Sequence, residues 1–534
     1  MKKIHVALIL LNLILMTVMW TTELRSKRFG AAPDSIDALS WGIASSISRD
    51  VYGLFGYVGY AKILNHFWNN GFTANYRYGY TAKPEENTRR TFEDIVWNKE
   101  ENNRIIAESL KYNLPEGGEN WGNQKIFATP ANDVGYIDFI SLGFNVFGYK
   151  MESLQLIYFT LLTIGLLAYI TLFARNVPYL LLSGIFLVTM IMLGESVLFT
   201  KLTNVVAHHN QRFLDTLVIL PIISLIAAKL NLTEKLNVAL IATQIIIIAL
   251  VMHFRSSTSW VVIILALLTL ISLKSVSSRL KGFLAKIASI LQSFCQSRIK
   301  NVFISLVGVI ILIRIVSGLL TSPIYQFNEA IPHHMFWHNL YMGLTFHPDW
   351  VEKMGHRTDG QAKNDNAAWI AGFKRGREKY GLEQKYMMNF SGNSFGHINK
   401  RIHELMIKEE YAKVILKKPI FSLQLYLWYK PLITLKKYAN IVFTAFVNMN
   451  GIIIISLITV LGFLAFLLRS GYQQQLTECF ALVTVVMLGS MIPVFFTYPY
   501  EGLLGCSSWL LIVWIILGSA IGIDKISQKV KARS

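Results

Sequence analysis

The run VALIATQIIIIALVMH (Val238–His253), the link FRSSTS (Phe254–Ser259) and the run WVVIILALLTLISL (Trp260–Leu273) decide the fold class. Neither run contains Asp, Glu, Lys or Arg. Neither carries the polar stripe that a helix on the surface of a soluble protein shows to water. Coiled as helices they are about 21–24 Å long, close to the thickness of a bilayer core. The pair therefore reads as two membrane spans joined by a tight reversal. Outward from it, similar runs recur at Ile4–Trp20, Leu154–Phe173, Tyr179–Val197, Phe213–Ala228, Val302–Leu320, Ile452–Leu468, Phe480–Phe496 and Leu503–Ile521.

The expectation is an all-α polytopic membrane protein of about ten transmembrane helices. Its composition agrees: 534 residues, 53% hydrophobic and only 16% charged, with a formal net charge of +19. Such hydrophobicity excludes a disordered chain. Sparse Gly, Pro and Cys exclude collagen-like and disulfide-stapled scaffolds. Ile4–Trp20 lies behind Lys2 and Lys3 but is followed by Thr21-Thr22-Glu23-Leu24-Arg25, without a small-residue cleavage site, so it reads as a retained anchor. The organisation expected is a first span over 1–21, a first loop over 22–153, six spans over 154–320, a second loop over 321–438, three spans over 439–523 and a tail over 524–534. The polar start of the stretch from Ala439 is assigned to the interface. Cys295, Cys479 and Cys506 fall far apart in this topology and read as free thiols.

Both long loops follow an odd-numbered span, so they share one side. With the N-terminus inside, the short inner segments hold 16 Lys and Arg residues, from Lys2 and Lys3 through Arg469 to Arg533. The short outer loops hold three, Lys201, Arg212 and Arg255. That bias puts both termini in the cytoplasm and both large loops outside. Most of the +19 is thereby a topology signal, and nothing in its distribution argues for nucleic acid.

There is no P-loop, no dinucleotide-binding glycine fingerprint and no H-E-x-x-H zinc motif, which argues against nucleotide-driven transport. Residues 22–153 hold 16 of the 32 acids and residues 321–438 hold 10, together with seven of the twelve histidines. Acids and histidines move protons, so chemistry is expected on the outer face. After Arg49-Asp50, the residues Leu54, Val58, Ala61, Leu64 and Trp68 recur at helical spacing, beside Phe55, Tyr57, Tyr60 and Phe67. This reads as an amphipathic helix on the outer leaflet with Asp50 at its N-terminus, where capping is the plainer role for Asp50 or Ser48. The first loop closes on Thr129-Pro130 and Asp133, then runs through Ile137–Phe147-Gly148 into the second span.

These features resemble the GT-C class of membrane glycosyltransferases. Arg49-Asp50-Val51-Tyr52 through Asn70-Gly71-Phe72 is similar to that class's early acidic motif, and Ile137–Phe147-Gly148 is similar to its lead-in to span two. The likeness covers roughly residues 1–175 in pattern and the remainder in topology only. It implies an enzyme of a bacterial inner membrane that moves a sugar from a polyprenyl-phosphate donor to an envelope glycan, lipid or protein. A general base and cations for the leaving phosphate are then needed. Asp50 is the first candidate base, with Asp37 and Asp133 as alternatives and Asp34 behind them. Arg49, Arg212, Arg255 and Arg314 are candidates for the phosphate, with His208, His209 and His253 also at the outer boundary. Arg314 lies inside the seventh span, where it either faces a cavity or snorkels to the interface.

The second loop opens with Pro332-His333-His334-Met335-Phe336-Trp337-His338-Asn339-Leu340-Tyr341. In a helix His334 and His338 share a face. A divalent metal is compatible with them and with nearby His347, Asp349, His356 and Asp359, but nothing requires one. The preferred reading is a pocket for the acceptor, with His334, Trp337, His338 and Tyr341 binding substrate. Residues 363–418 read as a basic, solvated surface. Two other functions fit the same topology: a polymerase or ligase of lipid-linked polysaccharide, and a transporter or flippase.

Overall fold

A computed structural model describes residues 2–25, 134–147, 152–195, 210–227, 235–272, 299–320, 336–350, 365–381, 400–447, 449–497 and 501–531. All regular structure among these residues is helical. In chain order the helices are α1 (Lys2–Arg25), α2 (Val134–Phe147), α3 (Glu152–Leu172), α4 (Val177–Glu195), α5 (Ile219–Ala227), α6 (Lys235–Phe254), α7 (Trp260–Ser272) and α8 (Ile299–Leu320). They continue as α9 (Phe336–Leu344), α10 (Asp365–Tyr380), α11 (Lys400–Lys417), α12 (Pro419–Gln424), α13 (Lys430–Val447), α14 (Gly451–Arg469), α15 (Gln473–Ser490), α16 (Ile492–Phe496) and α17 (Glu501–Lys531).

Over their described residues the ten apolar runs are helical except at Phe173, which ends the second run in a turn, and at Met491, which interrupts the ninth. Among the described residues seven stretches are long and apolar enough to cross a membrane: Lys3–Thr21, Ser153–Leu172, Leu236–Phe254, Ile299–Leu319, Gly451–Arg469, Gln473–Phe496 and Cys506–Val530. Val177–Leu193, Leu214–Ala227 and Ser256–Ile271 are apolar but shorter. Prolines and 3-10 turns explain the interruptions. A 3-10 stretch, Asn210–Val218, leads into α5, where Pro221 sits in the first turn and needs no N–H partner. Pro493 stands at the start of α16, so α15 breaks at Met491. The link between α6 and α7 is a second 3-10 turn, Ser256–Ser259.

Lipid offers no hydrophobic gain for helix association, so packing and polar contacts must select neighbours. Asn12 Nδ2 donates to the Leu180 carbonyl at 2.9 Å, joining α1 to α4. Gln244 Nε2 donates to Gly165 O at 3.0 Å, joining α6 to α3. Trp509 Nε1 donates to Thr189 Oγ1 at 2.7 Å, joining α17 to α4. By contrast, α8 leaves Ile311, Leu312 and Ile315 exposed, and α14 leaves Ile455 and Ile458 exposed, as lipid-facing surfaces do.

Helices α9 to α12 form a separate small core of Tyr341, Leu344, Trp350, Ile407 and Phe421. A π-helical stretch, Leu425–Tyr429, then feeds α13. Buried Lys430 fixes the junction. Its ammonium donates to the carbonyls of Phe495, Phe496 and Thr497 at 3.0, 3.0 and 2.8 Å. Three donors meet three acceptors, which favours the charged form, while burial pulls the pKa down to about 7. Gly343 of α9 packs onto the same turn, where a Cβ would stand 2.6 Å from Lys430 Nζ and 2.8 Å from Phe496 O. The boundary expected at 438/439 falls inside α13, and α17 runs on through the tail expected from 524.

Candidate functional site

Four polar segments meet at one end of the bundle: the start of α2, the 3-10 stretch before α5, the α6–α7 link and the last turns of α8. Gly135 permits the first approach. A Cβ there would overlap the backbone carbonyl of His253, so only glycine lets α2 lie against the end of α6. One turn later, Asp138 Oδ2 stands 2.7 Å from His253 Nε2. Ser317 Oγ of α8 donates to the same carboxylate oxygen at 3.5 Å. His253 is buried and Asp138 is a quarter exposed. An ionised carboxylate only accepts, so His253 Nε2–H is the donor, and Nδ1 is buried with no hydrogen-bond partner among the described residues.

A second chain of contacts begins two residues on. Arg255, also buried, donates from Nε to Ser257 Oγ at 2.9 Å. Ser257 Oγ donates to Asp215 Oδ2 at 3.2 Å, and Thr258 Oγ1 donates to Asp215 Oδ1. The neighbouring Thr216 shares a 2.6 Å hydrogen bond with Tyr158 of α3. Two carboxylates, an imidazole and a guanidinium thus sit at the end of an apolar bundle, each with a polar partner. An uncompensated charge there would cost several kcal/mol. The site can hold and exchange a proton at the Asp138–His253 pair, and it offers a fixed cation a few residues away.

Helices α9–α12, none of which is a candidate span, connect to this same end. Helix α17 packs on the 3-10 stretch that holds Asp215, and the turn gripped by Lys430 leads into it. On α9, Glu404 accepts from the backbone N–H groups of Trp337 and His338 at 2.8 and 3.0 Å, capping the helix start. His338 Nδ1 lies 3.0 Å from His403 Nε2, and both rings pack on Trp369 with centroids 4.8 and 4.1 Å away. Tyr341 is fully buried, edge-on to Trp350, and burial raises its pKa above the usual tyrosine range. These residues come together, but His338 and Tyr341 do so inside the core of α9–α11. Trp337 is half-buried beside Lys408 and Tyr411.

Of the residues expected at the site, Arg255 is built into the polar cluster. Arg314 is exposed on α8, one turn before Ser317, with no ion pair among the described residues. Arg212 lies in the 3-10 stretch Asn210–Val218. Asp37, Arg49, Asp50, Asp133, His334 and the amphipathic segment after Asp50 lie outside the described residues. Asp138 and Asp215 were missed. Their signal was available, since each is a lone aspartate beside an apolar run, which marks an ionisable group held by the fold. Among the described residues, no group of three or more His, Cys, Asp or Glu side chains is placed to hold a metal ion. Cys479 and Cys506 are buried free thiols. Comparison of the chain with family models, with curated proteins and with solved structures finds no match.

Proposed function

We propose that this chain is a GT-C-like glycosyltransferase of a bacterial inner membrane, crossing it ten times with both termini inside. It moves a sugar from a polyprenyl-phosphate donor to an envelope acceptor on the outer face. The observation that carries this reading is the Asp138–His253 pair beside buried Arg255, at the bundle end that also bears the α9–α12 helices.

In the reaction, the acceptor hydroxyl oxygen attacks the anomeric carbon and loses its proton. The bond from that carbon to the lipid phosphate breaks, and the polyprenyl phosphate leaves with the electron pair. Asp138 reaches the surface and serves as a base alternative to Asp50, Asp37 and Asp133. His253 is its positioning residue. Arg255, with Arg49, Arg212 and Arg314 as further candidates, counters the charge developing on phosphate. His334, Trp337, His338 and Tyr341 belong to the acceptor side of the same reading.

The test is transfer of labelled sugar from polyprenyl-phosphate donors in membranes holding the protein. The expected result is label in an envelope product, lost in Asp138→Asn or Asp50→Asn at normal protein levels. Transfer unchanged in both variants removes these residues as bases. Absence of transfer with every donor tried, alongside movement of lipid-linked sugar across liposomes, replaces the enzyme with a flippase. Joining of whole chains rather than single residues makes it a polymerase or ligase.

A further inference from the structure

Away from the polar cluster, a groove of about 450 Å³ runs between α14 and α17. Its wall is apolar, with Leu461, Leu464, Ile516 and Ala520 along it and Phe446 of α13 near one end. Arg469, Ser519, Asp524 and Ser527 line it toward the other end. Both helices are candidate spans, so the groove opens toward lipid. From Leu457 to Arg469 it follows α14 for about 18 Å, the depth of roughly one leaflet of the hydrocarbon core. Arg469 closes α14, is exposed, and has no ion pair among the described residues. Asp524 is occupied: it accepts from Gln473 at 3.1 Å and from Gln528 at 2.8 Å. Lys525 and Lys529 follow it, exposed, on α17.

We propose that this groove binds one anionic phospholipid, with an acyl chain along α14 and α17 and its phosphate on the Arg469 guanidinium. The depth matches an acyl chain that starts at the membrane boundary and ends near the midplane. The charge beside the mouth, Arg469 with Lys525 and Lys529 against one engaged aspartate, selects an anionic headgroup over a zwitterionic one. The site stands on its own residues and does not depend on the glycosyltransferase reading.

Titration of the detergent-solubilised full chain with phosphatidylglycerol, followed by thermal shift and native mass spectrometry, tests it. Saturable binding of one lipid is expected, with phosphatidylcholine at least fivefold weaker. Arg469→Gln should weaken phosphatidylglycerol by about fivefold, the share of one cation at a membrane surface. Ala465→Phe, at an exposed position lining the groove, should abolish the bound lipid while the lipid-free melting temperature stays close to wild type. Lys525→Gln should change binding less than Arg469→Gln. Equal binding of the two lipids, or binding unchanged in Arg469→Gln, overturns the proposal. So does equal binding of glycerol phosphate without an acyl chain. Should Ala465→Phe fail to fold, the Arg469→Gln comparison decides the matter alone.

Discussion

Replacing Gly135 with alanine tests how the candidate site is assembled. On an open helix the change gains about 1 kcal/mol, because alanine is the better helix former. Here the new Cβ overlaps the carbonyl of His253, a backbone group that cannot rotate away. Helix α2 must back off by about 1.5 Å to bring that carbon–oxygen approach of 1.9 Å out to a normal contact. Applied one turn along, that movement opens the 2.7 Å Asp138–His253 contact to about 4.2 Å, beyond hydrogen-bond reach. Losing a hydrogen bond to a charged group costs about 1.5–3 kcal/mol, and overpacking adds about 1–3. After the propensity gain, a net loss of about 2–5 kcal/mol remains. In a Cys295→Ser background a thiol-reactive dye reads it, since the two remaining thiols, Cys479 and Cys506, are buried and react only on unfolding. Gly135→Ala should melt several degrees below wild type. The double variant with Asp138→Asn should cost less than the two single losses combined, because both act on one contact. A Gly135→Ala protein as stable as wild type, or strict additivity with Asp138→Asn, would refute the reasoning.

Further outcomes follow from the same packing. Lys430→Met leaves three carbonyls without their donor, and should cost about 2–4 kcal/mol and speed limited proteolysis within α9–α12. Glu409 is held below its ordinary pKa by a hydrogen bond from Lys379 and by Arg375. Its folded pKa is depressed, so its contribution is present above the unfolded value of about 4.5 and is lost as pH falls through the folded one. Acid melts should therefore differ between wild type and Glu409→Gln only above that range, and high salt should narrow the difference. Trp509→Phe loses the bond to Thr189 and some packing volume, and should lower stability by about 1–3 kcal/mol in the dye assay. Asn12→Leu removes the α1–α4 bridge to Leu180 and should cost no more than about 1–2 kcal/mol, read as weaker retention of α1 in denaturant series.

Helix positions were legible in the sequence because lipid leaves the backbone no other partner. The run from Val238 to Leu273 reads as two helices and a turn, and folds so over its described residues, through Ser272. The element around Ala439 was not legible as it folds: a single helix, Lys430–Val447, covers that position, begins nine residues earlier and is anchored by Lys430. The site was less legible. Asp133 stands out as a loop carboxylate, whereas Asp138, five residues on, is masked by the apolar stretch around it. The histidine and aromatic cluster from His333 to Tyr341 looked like a pocket lining. Its described members His338 and Tyr341 are core residues, since Glu404, His403 and Trp369 arrive from helices far along the chain.

The sequence by itself determined the class of the protein, the places of its helices and the candidates for charge at their ends. Hydropathy and spacing are local properties, and a bilayer reads them locally. Only the tertiary structure decided which ends meet. Asp138 finds His253 across 115 positions, and Thr258 finds Asp215 across 43. In lipid every apolar helix face is equally welcome, so neighbours are chosen by close packing at residues such as Gly135 and by polar partners. Neither leaves a periodic trace in the chain.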